Sequence, residues 1–177
     1  MSFGCGMGNM NLPLCQALAQ LKEEHIPLRA QMDEFYLLAQ AIGQNDQITN
    51  WAESLHTVHQ KAAAFINKLD PHSLREEEIL FPMMANFIGR ESGPIAVMEY
   101  EHDQAKNNLK QFLKQMDQLP EVVGRDEAKA IAGYLKNAYI ILTEHFMKEE
   151  NVLFPMAEQI LSADEKDELL QKFNEIS

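Results

Sequence analysis

The chain has 177 residues, 46% of them hydrophobic, and a formal net charge of −12, enough to bury one good core but not two comfortable domains. The negative charge, with Lys and Arg scattered rather than gathered into a stripe, excludes nucleic acid as a partner. Apolar runs such as Tyr139 to Leu142 fall far short of the ~20 residues that cross a bilayer, so no membrane partner is expected. Cys5 and Cys15 alone exclude a disulfide framework and cannot by themselves hold an iron–sulfur cluster.

Residues 1–11 read as a flexible N-terminal tail containing the Gly-rich stretch Gly4-Cys5-Gly6-Met7-Gly8. With no Lys, Arg or sustained apolar run it resembles neither a secretory signal nor a transit peptide, and a cytoplasmic location is expected. Residues 12–158 read as four long helices. Breakers and polar clusters at Gly43-Gln44-Asn45-Asp46, Gly89 to Pro94 and Pro120 to Asp126 separate them. Apolar residues recur at helical spacing, as in Leu14, Leu18, Leu21, Leu28 and Met32 of the first segment and Ile95, Met98, Ala105, Leu109 and Leu113 of the third, with no strand-like alternation. Asn50 with Glu53 reads as a capping box, and Ser92 or Asp126 is placed to cap a following helix. Residues 159–177 read as a short fifth helix opened by Ser162-Ala163-Asp164-Glu165 and packed on one end of an all-α, antiparallel, up-down-up-down bundle.

The sequence also repeats. His72-Ser-Leu-Arg-Glu76-Glu-Glu-Ile-Leu-Phe-Pro-Met83 returns as His145-Phe-Met-Lys-Glu149-Glu-Asn-Val-Leu-Phe-Pro-Met156, and Glu24-His25 is echoed by Glu101-His102. Each half of the chain therefore supplies one helix with a single His and one with His-x-x-x-Glu. Residues four apart on a helix share a face, so each His-x-x-x-Glu pair forms a two-toothed ligand set. In an antiparallel bundle two residues are level when the midpoint of their numbers falls in the connecting loop. The midpoints of His25 and His72, His72 and His102, and His102 and His145 fall at 48.5, 87 and 123.5, all in or beside a loop.

One His on an apolar face is usually a hydrogen-bonded core residue. Six residues at one level, His25, His72, Glu76, His102, His145 and Glu149, point instead to a metal cluster that satisfies groups otherwise costly to bury. Leu21, Leu28, Leu69, Ile79, Met98, Leu109, Ile141, Val152 and Met156 are expected to pack around it and keep it dry. His56 and His59 lie roughly 160° and 140° from the direction of His72 on the same helix and are expected in solvent. The Glu53-x-x-His56 and Glu99-x-x-His102 pairs match the di-iron carboxylate pattern, but their levels disagree. Glu24, Glu101 and Glu144 each precede a ligand His and are candidates to accept the second imidazole N–H of a neighbouring helix. Pro27 and Pro71 are expected to kink their helices beside the site. Glu77 and Glu150 compete with Glu76 and Glu149 for the ligand role; the four-residue spacing from His favours the latter.

The doubled His-x-x-x-Glu-Glu-x-x-Leu-Phe-Pro pattern resembles the hemerythrin-like, His-His-Glu cation-binding family from Leu12 to Glu158. Pro94-Ile95-Ala-Val-Met98, Glu101-His102-Asp103 and His25-x-x-x-Arg29 are most similar to its iron–sulfur-cluster repair di-iron proteins. Oxygen-carrying members add a His four residues after the third-helix ligand, where this chain has Lys106. Imidazole with carboxylate suits Fe and accepts Mn or Zn; the resemblance implies two Fe ions joined by an oxo or hydroxo bridge. It further implies a protein that binds or responds to O₂ or NO or handles iron, with an electron donor or an iron-accepting protein as partner. An oxidoreductase of the peroxidase or nitric oxide reductase type, or an oxygen carrier, is the alternative. No separate acid, base or substrate pocket stands out in the sequence, so a metal-binding or sensing protein is preferred to a turnover enzyme. Oligomeric state is left open.

Overall fold

In a computed structural model of the chain, which describes residues 12–176, there is helix and no strand among the described residues. Helices α1 (Gln16–Ala41) and α2 (Ala52–Arg75) form one hairpin, and α4 (Pro94–Asp117) and α5 (Arg125–Lys148) form another. Two of the four rods are longer than their α-helices. After α2 a π-turn, Glu76–Leu80, leads into α3 (Phe81–Ile88); after α5 a π-turn, Glu149–Leu153, leads into α6 (Phe154–Ile160). Helix α7 (Ala163–Glu175) packs on α1 and the first π-turn. The tail expected over residues 1–11, with Cys5, lies outside the described residues.

The breakers sit where the rods end. Gly43, Gly89 and Gly93 take positive φ of 82°, 79° and 82°, a region that costs a residue with a Cβ, and Gly43 and Gly89 follow α1 and α3 within two residues. The Ser162–Glu165 capping box forms as expected. The other caps differ. Asn50 accepts from the backbone N–H groups of Ala52 and Val123 and donates to the Glu121 carbonyl. It ties the α1–α2 loop to the α4–α5 loop instead of closing a box with Glu53. Gly93 and Gly124, not Ser92 and Asp126, precede α4 and α5, and Pro94 fills the first position of α4, where a missing N–H costs nothing. Both α1 and α2 continue through Pro27 and Pro71.

The core falls into two parts. One cluster, with Leu28, Phe35, Phe65, Phe112, Leu135 and Phe146, fills the loop-tied end of the bundle. The second, with Leu18, Leu21, Phe81, Met98, Phe154 and Phe173, fills the end covered by α7. Among the described residues the buried polar and charged ones are His25, His72, Ser73, Glu76, His102, His145 and Glu149, which lie on the same four rods where one cluster gives way to the other.

Candidate metal centre

All six side chains singled out by register meet. His25, His72, Glu76 and Glu149 form one group in which a ligand atom from each lies within 4.8 Å of the rest, and Glu76, His102, His145 and Glu149 form a second. Glu76 and Glu149 belong to both. Each helix contributes by its own spacing: α1 and α4 one imidazole each, and the ends of α2 and α5 an imidazole followed one turn later by a carboxylate at the mouth of a π-turn.

The outer edge of each imidazole is held by a carboxylate, which can only accept. Nδ1–H of His72 donates to Glu24 at 2.8 Å, that of His145 to Glu101 at 2.9 Å, that of His25 to Glu150 at 2.7 Å and that of His102 to Glu77 at 2.5 Å. The expectation for Glu24 and Glu101 therefore holds. Glu144 plays no such part and is exposed; Glu77 and Glu150, weighed only as competitors for the inner position, back His102 and His25. Each outer carboxylate in turn binds a cation: Arg75 on Glu24, Lys148 on Glu101, Arg29 on Glu150 and Lys106 on Glu77. Four negative and four positive charges thus cancel around the rim.

With Nδ1 donating, a neutral imidazole presents only a lone pair inward. Nε2 of His25 and of His72 and both oxygens of Glu76 and Glu149 are buried without a hydrogen-bond partner. Nε2 of His25 lies 3.1 Å from Glu149, that of His145 2.8 Å from Glu149, and those of His102 and His145 2.7 Å from each other. Acceptors facing acceptors at such distances are repulsive unless protons or cations lie among them. Without a metal, protonation of the imidazoles relieves this repulsion. Burial opposes charge on His72, but Glu76, Glu24 and Glu149 outweigh it and raise the imidazole to about 10. His102 and His145 are raised for the same reason against the same penalty, and Glu149 is held well below the usual carboxylate range by the histidines despite full burial. Glu77, also resisting its burial, is lowered to about 2 by His102 and Lys106. A set of imidazole nitrogens and carboxylates, all of them lone-pair ligands once the imidazoles give up those protons, fits a divalent transition-metal ion in each group.

The π-turns were not foreseen. In each, the first N–H beyond the turn, of Phe81 and of Phe154, donates five residues back to the carbonyl of Glu76 and of Glu149. The wider turn places consecutive carboxylates on two tasks, Glu76 and Glu149 inward, Glu77 and Glu150 at the rim. It also delays the helical phase. Leu153 turns inward while Val152, expected beside the site, is 52% exposed. The signal available was Phe81-Pro82 repeated as Phe154-Pro155, a proline inside an apolar helical pattern where an α-helical hydrogen bond must fail. His56 is exposed as expected, whereas His59 is half-buried with its ring 5.9 Å from that of Phe112. Glu99 pairs with Arg90, away from the centre.

Among the described residues no helix is long and apolar enough to cross a membrane. The family model for the hemerythrin HHE cation binding domain matches residues 16–171. The chain is 34% identical over 119 residues to the iron-sulfur cluster repair protein YtfE of Musicola paradisiaca, covering 60% of this chain and 54% of the relative. It is 30% identical over 149 residues to that of Pectobacterium carotovorum subsp. carotovorum, covering 82% and 66%. With that of Salmonella schwarzengrund it shares 40% over 99 residues, covering 53% and 44%. The chain thus spans about half to two thirds of the length of these curated relatives. The match along nearly all of its helical part, together with the paired His and Glu groups, makes this chain a member of the hemerythrin HHE cation-binding domain family.

Proposed function

We propose that the chain holds two iron ions, for which His25 and His72 would be ligands to one, His102 and His145 to the other and Glu76 and Glu149 would be shared, and that it uses this iron in iron–sulfur cluster repair. The observation that carries the reading is the shared membership of Glu76 and Glu149 in two four-residue groups, with both oxygens of each carboxylate and the inward nitrogens of His25 and His72 buried without a hydrogen-bond partner. With the rim neutral, the two inner carboxylates leave the centre short of positive charge, and divalent ions supply it. Mn or Zn would satisfy the same donors; iron is chosen because the similar proteins are named for iron–sulfur cluster repair. A pair of ferrous ions would supply one-electron chemistry and open coordination positions for O₂ or NO.

The protein's own part is to position and to dry. Glu24, Glu77, Glu101 and Glu150 fix the tautomer and orientation of the four imidazoles by taking their Nδ1 protons in hydrogen bonds. Leu21, Phe81, Met98 and Phe154 keep water from one side of the layer, and Leu28, Leu142 and Phe146 from the other. Phe146 stacks on His25 at 4.1 Å between ring centroids. Lys106, which stands where oxygen carriers have a fifth His, is engaged with Glu77 on the far side of His102. It offers the centre no ligand, which favours a reactive or iron-donating centre over oxygen storage.

Anaerobic loading with ferrous ion should give about two irons per chain, as the pair of groups requires. The loaded protein, mixed with a dehydratase whose iron–sulfur cluster has been damaged by NO, should restore its activity faster than the same concentration of free ferrous ion. Binding of one iron or none would overturn the dinuclear centre. Two irons with no gain over free iron would overturn the repair role alone.

A further inference from the structure

The repeat makes the inner ligands of the two groups equivalent, but the cations behind them differ. Four residues after His25 stands Arg29, and four after His102 stands Lys106; three after His72 stands Arg75, and three after His145 stands Lys148. The His25/His72 half is thus backed by two arginines, the His102/His145 half by two lysines. The arginines have second anchors. Arg75, only 13% exposed, binds Glu24 and also the carbonyls of Phe173 and Ile176 at the end of α7. Arg29, 34% exposed, binds Glu150 and lies over the ring of Phe146 at 5.7 Å. Lys106 and Lys148, 42% and 45% exposed, each bind one carboxylate. A flexible ammonium held by one carboxylate alone, as Lys106 is by the two oxygens of Glu77, holds its partner less firmly than a planar guanidinium that has a second anchor elsewhere.

The surface beside Glu77 and the surface beside Glu24 differ in sign as well. The surface pocket beside Glu77, about 260 Å³, is lined also by Glu78, Glu99 and Asp103 against the single cation Arg90. The pocket beside Glu24, about 240 Å³, sets Lys68 and Arg75 against that one carboxylate. A divalent cation is drawn to the first and repelled from the second.

Resting on the dinuclear reading above, we infer that the two halves of the centre are held unequally: the ion between His102 and His145 is the exchangeable one, and the ion between His25 and His72 is retained. A repair protein of this design delivers one iron per cycle and keeps the other to hold the bundle in register for reloading. Glu77 and Lys106 are positioning residues for the exchangeable half, Glu24 and Arg75 for the retained half.

The test is extraction of iron from the full, ferrous-loaded chain by excess bipyridyl under anaerobic conditions, followed by the colour of the chelate. The expected trace has two phases of equal amplitude. Lys106→Met and Lys148→Met should speed the fast phase by about tenfold, the lower end of what losing an outer-shell partner costs, and leave the slow phase in place. Arg75→Met should bring the slow phase toward the fast one. Lys106→Arg with Lys148→Arg, which keeps both charges, should slow the fast phase, an effect that general destabilisation would not produce. A single phase releasing both ions, or lysine variants that speed the slow phase instead, would overturn the inference while leaving the dinuclear centre standing. Loading below two irons would overturn that centre, and the inference with it.

Discussion

The polar layer and the apolar core beneath it are built on the same four rods and buried to the same degree, yet they are held by opposite means. In the core around Phe35, Phe65 and Phe112 each side chain is stabilised by leaving water and by contact with its neighbours, and no single atom needs a particular partner. In the layer of His25, His72, Glu76, His102, His145 and Glu149, burial is a cost that only a specific partner offsets. The difference teaches where substitutions act: a hole in the core lowers stability and spares the chemistry, whereas a missing acceptor in the layer removes the chemistry from a bundle that still folds.

The largest expected effect comes from the two shared carboxylates. Glu76→Ala or Glu149→Ala removes a ligand from both groups at once, so affinity should fall by more than the ~100-fold at the upper end of losing an outer partner, and metal analysis after gel filtration should find most of the iron gone. Circular dichroism should still report a helical protein. A Glu149→Ala variant that kept both irons would mean that Glu150 or another group is the ligand.

Removing the metal sharpens the comparison through pH. His72, His102 and His145 are raised above their usual value near 6.5 in the metal-free chain, so folding is favoured by their protonation below that value. The contribution fades as pH rises through the folded values, about 10 for His72. The midpoint of thermal unfolding of metal-stripped protein should therefore drop between pH 6.5 and 10, and that of loaded protein should drop less, because the ions replace the protons. Ferrous ion added to stripped protein at pH 7 should release about one proton or more per chain, measurable in weakly buffered solution. No release would mean that the histidines are already neutral.

The core should behave in the opposite way. Phe65 is fully buried against Phe35, ring centroids 5.2 Å apart, in the cluster that fills the loop-tied end. Phe65→Ala should cost about 3–5 kcal/mol by cavity formation, read as a lower denaturant midpoint, while the folded fraction still loads two irons. Loss of iron from folded Phe65→Ala protein would show that packing in the lower core, and not the donor set alone, holds the centre.

These contrasts also explain what the sequence could and could not reveal. His25, His72, His102 and His145 were legible as one level because antiparallel helices with short loops obey simple arithmetic, and Glu76 and Glu149 because residues four apart share a face. The rim was half legible. Glu24 and Glu101 precede a ligand His in α-helix and follow from phase, but Glu77 and Glu150 reach His102 and His25 from π-turns, whose five-residue hydrogen bonds no α-helical wheel contains. The same wider turn exposed Val152. Its counterpart in the repeat, Ile79, stays buried because α7 packs on the first π-turn, a tertiary contact that the local pattern does not encode. The rim cations were visible as residues but not as partners, since nothing in the spacing of Arg75 and Lys148 says which helix their carboxylate is on.

The smallest expected effects belong to the two histidines outside the layer. His56 is exposed on α2, and His56→Ala should alter stability by no more than about 0.5 kcal/mol and leave iron content unchanged. His59 is less simple, since its ring meets the edge of Phe112 at 5.9 Å and is half-buried. It sits thirteen residues before His72 on an uninterrupted helix, roughly 20 Å along the axis at 1.5 Å per residue, too far for any ligand role without a break in α2. His59→Ala should lose only the aromatic contact, about 0.5–1.5 kcal/mol, with two irons still bound and the extraction kinetics of the parent. His59→Phe, which keeps an aromatic ring against Phe112 and has no nitrogen, should recover most of that stability. If His59→Phe lost iron, imidazole at this position would have to act on the centre, and the separation between polar layer and apolar core would fail on the helix that carries both.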